Sequence, residues 1–84
     1  MSEITQERLN EEADYFENVA APRAEAAAKD GERAAALTGS DHTRACASRA
    51  AAIARGRAVE YRAIAETLRA GEIPDSLDPD AIAD

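Results

Sequence analysis

Four residues, Thr38-Gly39-Ser40-Asp41, constrain this chain more than any others. They are the clearest break between two long stretches that each read as helix. A connection this short forces the two helices to lie side by side and antiparallel. Gly39 suits the left-handed position that ends a helix, and Ser40 or Asp41 caps the one that follows. The second stretch, about residues 41–70, is uninterrupted and corresponds to roughly 45 Å at 1.5 Å per residue. Gly71 ends it and Pro74 blocks any continuation.

Ser2 or Thr5 opens the first helix, with Glu3 and Glu7 favouring its positive end. Residues placed at 100° intervals bring Leu9, Ala13, Phe16, Ala20, Ala27, Ala34 and Leu37 onto one stripe, with Val19 and Ala24 at its edges. The stripe passes Pro22 without losing phase. The expectation is one helix over about residues 5–37, kinked near Pro22, the alternative being two helices broken before it. Gly31 is a second weak point, since glycine costs about 1 kcal/mol in a helix relative to alanine. On the second helix, Cys46, Ala50, Ile53, Ala54, Tyr61, Ile64, Ala65 and Leu68 share a face.

With a turn centred near Gly39, the numbers of facing residues add to about 79. Ile64 then lies beside Phe16, Ile53 near Ala26 and Ala27, and Leu68 near Leu9 and Ala13, with Arg62 reaching Glu17 and Arg69 reaching Glu11. Alanine near the turn predicts close backbones there and a bulkier packing at the open end.

Charge segregates along the same lines. The net charge of −7 divides into −5 over residues 1–37, +3 over 38–70 and −5 over 71–84. An acidic arm beside a basic arm favours the hairpin over the pairing of like with like. Arg44, Arg55, Arg62 and Arg69 form a stripe that the acidic arm can neutralise. Nucleic acid is an improbable partner for so acidic a chain. Residues 72–84 form an acidic tail with isolated apolar points at Ile73, Leu77 and Ile82. It is either solvated or a docking peptide that folds back on the arginine face or onto a partner.

A chain of 84 residues is one small domain at most, only marginally able to bury a core. Its aromatic residues are Tyr15, Phe16 and Tyr61, and alanine, which buries little area, dominates the apolar fraction. Such a chain gains burial from another copy or another protein. Cys46 stands alone, so no internal disulfide forms. No apolar run approaches the ~20 residues that cross a bilayer, and the first residues lack a signal-peptide layout. A soluble cytoplasmic protein with no membrane association is expected.

Few residues suggest chemistry. His42 and Cys46 lie four apart on one helix face, but no second cluster completes a metal site and no oxyanion loop accompanies them. The plainer reading is a buried cysteine acting as a small hydrophobe. Glu-x-x-His and glycine-rich phosphate motifs are missing. Carboxylate neighbours such as Glu11 and Glu12, or Asp14 and Glu17, sit on helix flanks where salt bridging is the common role. No catalytic, cofactor or metal-binding residue is expected.

Arg57 and Arg23 carry more information. Each falls on its helix's apolar stripe, and the facing rule brings them to nearly one level. Two arginines in an apolar seam need acids. Their stems either reach out to Glu60, Glu17 or Glu25, or the layer waits for an acid from another copy, a partner or the tail.

The sequence therefore predicts an all-α fold: a helical hairpin over residues 1–71 with an acidic tail over 72–84. It further suggests a non-enzymatic interaction or structural module that self-associates or docks onto a larger assembly, such as an accessory protein of a phage or bacterial particle. Candidate interaction residues are Phe16, Arg23, Arg57, Tyr61, Ile64, Leu68, Ile73, Leu77 and Ile82. The alternative is an acidic regulator that occupies a basic, nucleic-acid-binding site on a target protein.

Overall fold

The computed structural model describes residues 4–37, 39–75 and 77. Among them the chain forms an all-α hairpin whose two arms pack along their length, in a body 56 × 18 × 18 Å. The first arm comprises α1 (Gln6–Tyr15), a π-helical turn (Phe16–Ala20) and α2 (Ala21–Leu37). The second arm is a single helix, α3 (Asp41–Arg69).

Local chemistry accounts for the ends. The Thr5 hydroxyl accepts a hydrogen bond from the Arg8 amide at 3.1 Å, capping α1, and Ser40 caps α3 by accepting from the Thr43 amide. Helix α3 stops in a left-handed cap. The Gly71 amide donates to Leu68 and the Glu72 amide to Thr67, with Gly71 at φ +88°, the geometry that glycine adopts without a Cβ penalty. Gln6 adds a second clasp, its side-chain amide donating to the carbonyls of Leu68 and Arg69. The beginning of one arm thus ties down the end of the other. Gly39, expected in the left-handed region, is not there.

The first arm crosses Pro22 as continuous helix, and it does so through the π turn. Proline has no N–H to give, and its ring crowds the carbonyl four residues back, here that of Asn18. A turn wound one residue wider relieves that crowding. The Ala21 amide accordingly donates to the Phe16 carbonyl, five residues back.

The extra residue changes which side chains face the partner. Before the turn, Leu9 and Ala13 are buried as the stripe predicts; after it, Ala21, Ala24 and Ala28 are buried, while Ala27, Ala34 and Leu37 lie exposed. The buried stripe has moved by one position. On α3 the seam follows Ala47, Ala51, Ala54, Ala58, Tyr61, Ala65 and Leu68, and Cys46, Ala50 and Ile53 are exposed. That seam keeps a strict seven-residue repeat and passes through Ala58 rather than Arg57, which avoids the cost of burying a guanidinium.

Near the turn the arms touch at Gly31. A Cβ placed there would lie 3.0 Å from the Ala51 Cβ and 3.1 Å from the Ala47 carbonyl oxygen. This glycine is a close-approach point, not the weak point its helix propensity suggests. At the open end the core is bulkier: Leu9, Ala13, Ile64, Ala65 and Leu68 form one cluster, with Ile4, Phe16, Tyr61, Ile73 and Leu77 packed against it.

Candidate interaction face

The seam has two flanks of opposite character. On one, Arg55, Arg62 and Arg69 each follow a seam residue of α3 (Ala54, Tyr61, Leu68). They pair across the hairpin: Arg55 with Glu32, Arg62 with Glu25, and Arg69 with Glu17 at 2.6 Å and Asp14 at 2.9 Å. The arginines recur every seven residues. Their acids recur after seven residues, from 32 to 25, and then after eight, from 25 to 17. The longer step spans the π turn, so the residue it adds keeps Glu17 in phase with Arg69.

These partners correct the simple facing rule, which assigns Arg62 to Glu17 and Arg69 to Glu11. The two carboxylates raise the Arg69 guanidinium above its ordinary pKa through hydrogen bonds, from Glu17 first and then Asp14. Because the folded value is the higher, any stability this gives is fully present below the usual arginine range. It is lost only on the alkaline side of that range. Arg44, the fourth arginine of the stripe, pairs instead with Asp41 on its own helix at 2.7 Å.

The opposite flank has no such ladder. On α2 it is made by Ala20, Ala27 and Ala34, each one residue before a seam position; on α3 by Ala50, Arg57 and Ile64 in the same relation. Leu37, 79% exposed, and Ile53, 51% exposed, extend it outward near the turn. A groove of about 260 Å³ opens on this side, with Arg23 and Arg57 on its walls and Ala24, Ala54 and Tyr61 among its lining residues.

Arg23 and Arg57 do share a level, as both line this groove. They are not buried in the seam, however; both are exposed. Among the described residues neither makes an ion pair. Glu17 and Glu25, named above as possible partners, are engaged by Arg69 and Arg62.

The other candidates divide by position. Phe16 and Tyr61 are half-buried, with ring centroids 5.7 Å apart. Ile64 and Leu68 are buried in the chain's own core, and Ile73 and Leu77 pack against that core. Ile82 lies outside the described residues.

Tyr15 is exposed, edge-on to Phe16 at 5.6 Å, and lines the groove. Sequence periodicity does not reveal it, because it falls off the 100° stripe. The same stripes place Ile53 and Leu37 in the seam, and the structure puts both outside it. A signal for that was in the sequence: a seven-residue repeat that excludes Arg57 also excludes Ile53, and Pro22 marks where the first arm changes phase.

His42 and Cys46 lie on the exposed side of α3, with Nε2 and Sγ 3.8 Å apart. The cysteine is therefore not the buried hydrophobe expected. Among the described residues no group of three or more metal-binding side chains converges, and no helix is long and apolar enough to cross a membrane. No protein-family model, curated protein or solved structure matches this chain.

Proposed function

We propose that the chain is a non-enzymatic interaction module that completes its core by self-association, a second hairpin covering the flank opposite the ion-pair ladder. One observation carries this reading. The residues that make the more apolar stripe in the sequence (Ala27, Ala34 and Leu37 on one arm, Cys46, Ala50 and Ile53 on the other) are exposed together on one side. Alanines there permit another helix to approach closely, and Leu37 and Ile53 supply the larger apolar contacts.

The reading as an acidic mimic of nucleic acid has less support, because Asp14, Glu17, Glu25 and Glu32 are engaged by the chain's own arginines.

Light scattering of the full chain over a wide concentration range tests the proposal. A dimer that Leu37→Glu and Ile53→Glu each convert to a helical monomer is the expected result. A monomer at every concentration, or a dimer indifferent to both substitutions, overturns it.

A further inference from the structure

We propose that a second copy of the chain seats antiparallel on the flank opposite the ladder, about a two-fold axis beside Ala27, so that Arg23 of each hairpin pairs with the partner's Asp30. The arrangement rests on the self-association proposed above and gives it a register. Charge and apolar pattern lead to it separately.

On α2, Arg23, Asp30 and Leu37 stand seven residues apart and form one exposed column along this flank. Arg23, Arg57 and Asp30 have no ion-pair partner among the described residues. One face thus carries cations and an acid left over from the ladder. Arg23 and Asp30 lie about 10 Å apart along the helix at 1.5 Å per residue, too far to meet within one hairpin.

Two identical faces can meet about a two-fold axis in their common plane in two ways. An axis along the hairpin lays α2 on the partner's α3 and keeps every level. Arg23 and Arg57 share a level, as both line one groove, so four guanidinium groups would crowd together there. Such a like-charge contact opposes association. An axis across the hairpin instead lays α2 on α2 and α3 on α3, reversed end for end. Placed midway between Arg23 and Asp30, beside Ala27, it sets Arg23 against the partner's Asp30 twice over. Arg57 then comes against the partner's Ala50, whose small side chain leaves room for the guanidinium to turn towards Glu60 on its own helix.

The same axis covers the large apolar side chains left exposed on this flank, Tyr15, Leu37 and Ile53. Ala27 and Ala54 line the groove together, so Ile53 lies at the level of the axis and meets the partner's Ile53. Leu37 stands about 15 Å from Ala27 towards the turn. Phe16 stands at about the same distance on the other side, with Tyr15 edge-on to it. Leu37 therefore covers the partner's Tyr15. Between these contacts Ala20 faces the partner's Ala34, and alanines on both sides let the helices approach closely.

Charge reversal measured by sedimentation equilibrium on the full chain tests the register. Arg23→Asp alone and Asp30→Arg alone should each raise the dimer dissociation constant at least about tenfold. The two together should return it to within about threefold of the parent, with circular dichroism confirming that each variant stays helical. In a Cys46→Ser background, Ala27→Cys should cross-link to itself under a mild oxidant. Leu37→Cys should not, its two copies lying about 30 Å apart. A dimer that the double reversal fails to restore, or that cross-links through Leu37→Cys and not through Ala27→Cys, overturns this arrangement and leaves self-association standing. A chain that is monomeric at every concentration overturns self-association itself, and the arrangement with it. Should a cysteine variant unfold, the charge-reversal series, confined to exposed positions, distinguishes the same outcomes.

Discussion

Gly31 lies against Ala51 so closely that an added methyl group would sit 3.0 Å from the alanine Cβ. Two arms of a small hairpin are brought together there by the absence of a side chain. Gly56, on the other arm, has nothing within 4 Å of the same hypothetical methyl. The two glycines should therefore respond oppositely to one substitution. Gly56→Ala gains helix propensity and should stabilise the chain by up to about 1 kcal/mol. Gly31→Ala gains the same propensity but must displace the Ala47 and Ala51 backbone, and should lose about 1 kcal/mol net. Urea midpoints of the two variants check this, and equal shifts would discredit the close approach.

Leu68 is 0% exposed and, among the described residues, is the largest fully buried side chain. Leu68→Ala should cost about 2–5 kcal/mol, a large share of the stability available to a domain of this size. The helical signal at 222 nm, followed through a thermal scan, should fall far earlier than in the parent chain. An unchanged midpoint would mean that the open-end cluster is not the core.

The ladder should behave as a set of register contacts. Arg62→Glu places a second carboxylate opposite Glu25 and should destabilise by roughly 1 kcal/mol, and adding Glu25→Arg should recover most of that loss. The recovery should shrink in 1 M salt, where charges at this exposure are screened. A double-mutant cycle in low and high salt measures both.

The π turn predicts opposite tolerances to lengthening and shortening. Removing Val19 takes out the residue that the wider turn absorbs, so the segment winds as ordinary α-helix and Leu9 and Ala13 stay in line with Ala21 and Ala28. An alanine inserted after Val19 instead turns α1 by about 100° relative to α2, taking Leu9 and Ala13 out of the seam and Glu17 away from Arg69. The insertion should lower the unfolding free energy by at least about 2 kcal/mol, and the deletion by clearly less. Comparable urea midpoints for the two variants would show that the turn does not set the phase.

The hairpin itself was legible in the sequence, because Gly39 and Ser40 interrupt two long helical stretches and the charge of the arms is opposite. So was the open-end cluster, where Leu9, Phe16, Ile64 and Leu68 are large enough to dominate the hydrophobic pattern. Towards the turn the pattern misled. Alanine appears on nearly every face of both arms, so its periodicity carries little phase information. Ile53 and Leu37 then drew the inferred stripe onto the exposed side. The π turn was legible only as Pro22: the proline signalled a disturbance, but a kink and an added residue have the same signature in sequence. Arg23 and Arg57 share a level because that follows from hairpin topology. Their exposure depended on the phase, which on the second arm was carried only by the seven-residue repeat through Ala51, Ala54 and Ala58 that leaves out Arg57 and Ile53.

Because the first arm winds one residue wider at its midpoint, it works like a shaft with two lobes set out of line. The sequence writes a single stripe along this arm, yet the open-end half turns it towards the sister helix and the other half turns it outward. One amphipathic pattern is thus divided between an inward and an outward face, and five residues beside a proline decide where the one yields to the other.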